Sequence, residues 1–236
     1  MASSLTKRLY DTYRSSADKS HATAVSPYFD AVVRRHFPAD RGAPILDLGC
    51  GAGELLGAAM AAGYIQLVGV DWSNEQVTAA HEAGRIMVRQ GDLFDALRET
   101  ADASQGVVAM FDVLEHLDRD VLATTLDHVL RVLRADGRLI AHVPNAESPM
   151  FGRVRYGDAT HVTAFSRQSC EQVFKTIGFA RVECFEDAPV IHGAKSAIRF
   201  VAWKAIRSAL AAYLTVESGT ASGAIFSQNL LAVAHK

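Results

Sequence analysis
The chain of 236 residues is 49% hydrophobic, carries a formal charge of −2 with an isoelectric point near 6.5, and holds three cysteines. That balance suits one α/β domain with elaborations and gives no basic footprint for general nucleic-acid binding. Cys50, Cys170 and Cys184 are too few and too scattered for a disulfide framework or a zinc knot. The N-terminus scatters Lys7, Arg8, Asp11 and Arg14 among polar residues and lacks the apolar core of a signal peptide. No stretch reaches the roughly 18 uninterrupted apolar residues of a membrane span. The expectation is a soluble, cytoplasmic protein.

Residues 1–40 carry Tyr10, Tyr13, Tyr28 and Phe29, and a helix-like run over 28–37 stops before Pro38, as expected of a helical cap on the core. The apolar run 45–48 predicts a buried parallel strand, ending in a turn with Gly49, Gly51 and Gly53 at alternate positions. Such glycines let the backbone lie directly against a ligand. A dinucleotide fingerprint, G-x-G-x-x-G, would need glycine at position 54 or 56, where Glu54 and Leu56 stand, and this weakens an oxidoreductase reading. A helix over 54–62 ends at Gly63, and a strand over 65–71 ends in Asp71. Asp71 follows Gly49 by 22 positions, the separation at which a strand-end carboxylate accepts hydrogen bonds from a ribose diol. The other use of such an aspartate is a helix cap, a role Ser73 can fill for a helix over 74–83. A third strand over 86–90 ends at Gly91-Asp92-Leu93, where a turn aspartate is one reading.

The fourth strand, 107–112, feeds Val113-Leu114-Glu115-His116-Leu117. Asp112, Glu115 and His116 are spaced i, i+3 and i+4 and share one face if the chain turns helically. A helix over 119–133 is expected to stop at Asp136-Gly137, and a fifth strand over 138–143 ends at Pro144.

Asp47 with the glycine turn, Asp71, Gly91-Asp92-Leu93 and the DVLEHL segment, all within residues 45–145, resemble the class I S-adenosylmethionine-dependent methyltransferases. The resemblance implies an α/β, Rossmann-like, seven-stranded, mostly parallel sheet with helices on both faces and an antiparallel last strand, the motif ends falling along one edge. It implies cofactor contacts from Asp47, Gly49, Gly51, Gly53, Asp71, Trp72, Asp92, Leu93, Phe111 and Asp112. In such enzymes the acid at position 92 serves the adenine amine, Leu93 the ring face, and the fourth strand's end the sulfonium methyl. N-terminal helices often cap the cofactor, which would bring Tyr13, Lys19 and His21 near it. DVLEHL is similar to a segment of the ubiquinone-pathway O-methyltransferases and their bacterial relatives.

Residues 144–166 form a long connection containing Met150, Phe151, Arg153, Arg155, Tyr156 and His161, which reads as a substrate loop. A GD-x-TH segment followed by THVTAFS, a helix over 167–177 capped by Ser166, and Gly178-Phe179 resembles bacterial sugar and surface-polysaccharide methyltransferases. The implied acceptor is a sugar hydroxyl of a nucleotide sugar or glycan. A phenol or quinone precursor and a non-catalytic cofactor-binding partner are the alternatives. Neutral imidazole can take a hydroxyl proton near pH 7, which makes His161 the first candidate base and His116 the second. Alternatively Asp112, Glu115, His116 and His161 hold a divalent cation, as a related E-x-x-E-H cluster does in metal-assisted relatives.

Strands over 181–185 and 224–234 flank a helical insertion, 188–223. Its helix, 195–216, lines up Ile198, Val201, Ala205, Ile206, Ala209 and Leu210, with Lys195, Arg199 and Arg207 around Trp203 on a different face. That pattern suits peripheral membrane contact, or a lid or dimer helix with a solvated charged side. The pattern defines no oligomeric state.

Overall fold
The computed structural model describes residues 26–236, so Tyr10, Tyr13, Lys19 and His21 lie outside the described residues. The strands are β1 (Ile45–Leu48), β2 (Leu67–Asp71), β3 (Val88–Gln90), β4 (Gln105–Phe111), β5 (Leu133–Pro144), β6 (Arg181–Glu186) and β7 (Asn229–His235). They pair in the order β3-β2-β1-β4-β5-β7-β6, with β1 to β5 parallel and β7 antiparallel to both neighbours. The doubly wound expectation therefore holds, antiparallel last strand included.

Alternate residues of each strand point to opposite faces, and both faces are buried. Ile45, Val107, Ala109, Ile140, Leu231 and Val233 pack under α1 (Pro27–His36), α2 (Glu54–Ala61) and α3 (Asn74–Glu82). Leu46, Leu48, Val108, Met110, Leu139, Ala141 and Leu230 pack under α4 (Leu93–Glu99), α5 (Arg119–Val132) and α7 (Arg167–Ile177). Between them in sequence, α6 (Phe151–Arg155) interrupts the 144–166 connection. Helix starts are set by side-chain caps: Ser73 for α3, Asp118 for α5, and a Ser166/Ser169 capping box for α7, which Gly178 ends in the left-handed region.

Several boundaries differ from the pattern-based reading. Ile65 and Ile86 lie outside the strands expected to contain them and are 79% and 82% exposed, and β7 starts at Asn229 instead of position 224. No turn separates α5 from β5 at Asp136-Gly137; β5 begins at Leu133 and absorbs that dipeptide in a register shift against β4. A Cβ on Gly137 would stand 2.9 Å from Gln105 O and 3.0 Å from Arg134 N, so glycine marks a bulge here and not a helix stop.

The insertion forms α8 (Ala194–Ser218), whose expected apolar side faces outward except at Leu210. Trp203, Arg207, Leu210 and Leu214 turn inward, Arg207 Nε donating to Glu186 Oε2 at 2.7 Å. Arg207 thus leaves the expected group with Lys195 and Arg199, because a half-buried carboxylate on β6 claims it. No helix of the described residues is long and apolar enough to cross a membrane.

Leu126 of α5 is fully buried in the second of these layers. Leu126→Ala should lower unfolding stability by about 2–5 kcal/mol, read as a lower urea midpoint with an unchanged slope.

Candidate active site
The strand order reverses between β1 and β4, which opens a crevice at their C-terminal ends. There the chain leaves β1 through Gly49, Gly51 and Gly53, all with positive φ (70°, 53° and 72°). Gly49 N and Cys50 N both donate to Val70 O, at 2.8 and 3.2 Å. A Cβ would meet Val113 Cγ2 at 2.5 Å on Gly49 and Val88 Cγ2 at 2.8 Å on Gly53, whereas on Gly51 nothing lies nearer than Gln76 Oε1 at 4.0 Å. Packing requires the outer two glycines, and the middle one leaves bare backbone beside open space. Arg85, buried behind the turn, donates from Nη1 to Ala52 O at 2.9 Å.

Asp71 ties this turn to the next. Its Oδ2 accepts from Gly51 N and its Oδ1 from Ser73 N, each at 2.8 Å, and each oxygen keeps a further lone pair. Burial raises the Asp71 pKa, and the two N–H donors counter that rise. Behind it, buried Asp47 is pushed up to about 8, by burial first and then by the Asp71 charge. Trp72 is 56% exposed at the same edge and its carbonyl accepts from Gln90 Nε2 at 3.2 Å. Asp92 caps α4: Oδ1 accepts from Phe94 N (2.7 Å) and Asp95 N (3.2 Å), both bonds falling on one oxygen. Leu93 begins α4 and packs partly against the core.

At the exit of β4, Phe111 stacks on the His142 ring, 5.6 Å between centroids and 11° between planes. Asp112 then adopts φ +54°, a left-handed conformation that costs a non-glycine residue about 1–3 kcal/mol. That dihedral breaks the helical continuation, so the expected shared face of Asp112, Glu115 and His116 does not form. Asp112 Oδ1 instead accepts from His142 Nδ1 at 2.7 Å, and His142 Nε2 reaches Asp187 Oδ2 at 3.4 Å. Burial disfavours a charge on His142, but Asp112 and then Asp187 overcome it and raise the imidazole to about 10. Burial likewise works to raise Asp112, yet His142, followed by His116 and His161, holds it below the usual carboxylate range.

Glu115 and His116 sit on a 3-10 turn, Leu114–His116, against His161. Their ligating atoms lie within 4.8 Å of one another, a set that fits a divalent transition-metal ion. Glu115 is 0% exposed and neither carboxylate oxygen has a hydrogen-bond partner; His161 Nε2 stands 3.9 Å from Oε1. The Thr160 hydroxyl donates to Asp158 Oδ1 at 2.6 Å, so its oxygen is left to accept from His116 Nδ1 at 2.9 Å. His161 Nδ1 donates to Val154 O at 3.1 Å. In the neutral form of either ring these bonds leave the proton on Nδ1 and the lone pair on Nε2. Burial, then the Asp112 charge, pushes Glu115 up to about 8. Burial, then the His161 charge, lowers His116, which stays neutral near pH 7.

The 144–166 connection is anchored at both ends. Val162 N and Thr163 N donate to Glu115 O at 2.8 and 3.1 Å. Asn145, fully buried, donates through Nδ2 to Ile225 O (2.7 Å) and Ser227 O (2.8 Å) and accepts from Glu147 N (3.0 Å). Arg85, His142, Asn145 and Asp187 escaped the sequence reading. None sits in a motif, and only the polarity of His142 and Asn145 at the end of an apolar strand marked them.

A family model described as a methyltransferase domain matches residues 21–183, and the chain belongs to that family. It is an S-adenosylmethionine-dependent methyltransferase. Among solved structures it is similar to a SAM-dependent methyltransferase from Archaeoglobus fulgidus, at 22% identity over 92% of this chain and 97% of that one, with a TM-score of 0.66. A chain from the complex of the Haloferax volcanii Trm112 methyltransferase activator with a putative methyltransferase matches at 19% identity, 99% and 94% coverage and TM-score 0.63. Phosphoethanolamine N-methyltransferase 2 from Haemonchus contortus, in complex with S-adenosyl-L-methionine, matches at 16% identity over 98% of this chain and 60% of that one, TM-score 0.64. These likenesses are of fold. No curated protein matches the chain.

Two outcomes follow from the Asp71 and Asp47 environments. Asp71→Asn places an amide N–H2 among donors, and calorimetry should show S-adenosylhomocysteine bound roughly 10–100-fold more weakly. Asp47 keeps its proton to about pH 8 when folded but loses it near 4 when unfolded, so its stabilisation is present at low pH and declines as pH rises between those values. Unfolding free energies of the cofactor-free protein from urea titrations should fall from about pH 5.5 to about pH 7.5 more steeply than those of Asp47→Asn, by up to about 1.4 kcal/mol per pH unit. Equal slopes would remove the argument.

Proposed function
We propose that the protein is an O-methyltransferase acting on a hydroxyl of a sugar-type acceptor, such as a nucleotide sugar or surface glycan, in the cytoplasm. The observation that carries the reading is the pair of imidazoles with Nε2 lone pairs beside buried Glu115, at the end of β4. Gly49, Gly51 and Gly53 admit the cofactor in this reading, Asp71 holds its ribose through the two remaining lone pairs, and Trp72, Asp92, Leu93 and Phe111 border its adenosyl part. The bare backbone at Gly51 supports that fit. When bound, S-adenosylmethionine supplies an electrophilic methyl group. His161 Nε2 takes the proton of the acceptor hydroxyl, and His116, neutral near pH 7, is the second base. The 144–166 connection holds the acceptor. Its exposed Tyr156 ring, with the Arg155 guanidinium 5.2 Å from the centroid, offers a flat apolar surface edged by donors, chemistry suited to a sugar ring.

His161→Ala should lower kcat by about 100- to 10,000-fold while leaving S-adenosylhomocysteine affinity within about twofold. A variant retaining full turnover would refute His161 as the base.

The two unpartnered oxygens of Glu115 favour a second reading of the same site, in which Glu115, His116 and His161 hold a divalent cation. Asp112, bonded to His142, stands outside that ligand set. A bound cation would keep Glu115 ionised below its pKa of about 8. Manganese should then raise the melting temperature of the protein but not of Glu115→Gln, and chelation should abolish turnover; no effect of either leaves the imidazole base alone.

A further inference from the structure
Among the described residues the one long helix outside the layered sheet, α8, turns an apolar side away from the rest of the protein. Ile198, Val201, Tyr213 and Val216 are 71%, 68%, 66% and 88% exposed, and Ala202, Ala205, Ala209 and Ala212 are exposed beside them. At 3.6 residues per turn these eight positions form one continuous stripe. The inward side is held by Arg207, through Glu186 and through its guanidinium 5.7 Å from the Phe226 ring centroid. Scattered surface hydrophobes need no explanation, whereas a continuous stripe along about five turns marks a contact.

At these eight positions the pattern of large and small side chains is mirrored about position 207, with Ile206, 54% exposed on the flank, outside the mirrored set. Ile198 mirrors Val216, Val201 mirrors Tyr213, Ala202 mirrors Ala212, and Ala205 mirrors Ala209. Such symmetry serves a helix that meets a copy of itself running the opposite way, since a two-fold contact brings one patch against the same patch. In that pairing Ile198 faces the partner's Val216 and Ala205 faces the partner's Ala209. Val201 lies against the partner's Ala212, and Tyr213 against the partner's Ala202, so these two large side chains each meet a small one. Alanines at the centre let the axes approach to about 8 Å. Charge agrees as well: Lys195 and Arg199 follow one flank at the helix start, and Glu217 follows the same flank at its end. Reversal brings Glu217 between the partner's Lys195 and the partner's Arg199, while a parallel pair sets like charges together.

We propose that α8 is a homodimerisation helix that pairs antiparallel with α8 of a second copy. The contact spans about 27 Å of helix and buries on the order of 1,000 Å² in total, at the small end of specific interfaces. Dimerisation is therefore weak and concentration-dependent. A lipid surface accepts an apolar stripe too, but it places no demand on mirrored order and gives Glu217 no partner.

Sedimentation velocity of the full chain between about 1 and about 100 µM should show monomer passing to dimer. Ala205→Glu should stay monomeric throughout, with S-adenosylhomocysteine affinity unchanged. Glu217→Lys should weaken the dimer roughly fivefold, and adding Lys195→Glu and Arg199→Glu should restore it. Oxidation should cross-link the double variant Ile198→Cys/Val216→Cys into covalent dimers, and neither single variant. A chain monomeric across the range, a dimer indifferent to Ala205→Glu, or a monomer that floats with phosphatidylserine vesicles would overturn the proposal.

Discussion

Gly51 N reaches Asp71 Oδ2 at 2.8 Å across the C-terminal ends of β1 and β2, and the geometry of the crevice depends on that bond. A parallel sheet sets strand ends side by side but leaves open where the following loops go. Here Val70 O collects the N–H groups of Gly49 and Cys50, and the Asp71 carboxylate collects those of Gly51 and Ser73. One strand end therefore registers two loops, the glycine turn before α2 and the capped start of α3. Asp47 lies close enough to feel the same charge, and of the two carboxylates it is the partly buried Asp71 that has the donors to remain ionised. Arg85 closes the arrangement from behind by bonding Ala52 O.

Most of this was readable from sequence because its causes are local. Alternate glycines, a strand-end aspartate at a fixed separation and a serine or aspartate before α3, α4, α5 and α7 express backbone requirements that act within a few residues. The parallel pairing and the strand ends along one edge followed from right-handed crossovers between such units. Asp112 failed for the opposite reason. Its spacing to Glu115 and His116 suits a helix, but φ is +54° and its partner, His142, lies 30 positions away on β5. Only the pairing of β4 with β5 brings Phe111 and His142 side by side, and no one-dimensional pattern contains that pairing.

The long C-terminal helix shows a second limit. A period of 3.6 residues identifies an apolar stripe on α8 but carries no sign, so it does not say whether the stripe turns inward or outward. Orientation is decided by Arg207, whose Nε donates to Glu186 Oε2 on β6 at 2.7 Å. That contact, with Trp203, Leu210 and Leu214 beside it, turns this side toward the protein and leaves Ile198, Val201 and Val216 outward. Asp136-Gly137 is a smaller instance: a dipeptide that ends helices elsewhere serves here as a bulge inside β5, because the neighbouring β4 backbone leaves room for no Cβ.

The left-handed turn at Asp112 divides the ionisable groups of the site into two sets with opposite character. On one side Asp112, His142 and Asp187 satisfy one another, and the imidazole, held charged to about pH 10, matches the carboxylate it touches. A pair so matched has little left to offer a reacting group. On the other side Glu115 is buried with both oxygens unpartnered, beside two imidazoles whose Nδ1 protons are already engaged by the chain. An unsatisfied buried carboxyl costs more than about 1–3 kcal/mol, a burden that persists in a fold chiefly where a ligand or a reaction relieves it. The strained dihedral thus separates a charge pair that builds the wall of the crevice from a set with reactive capacity, and proton transfer or metal binding belongs to the second.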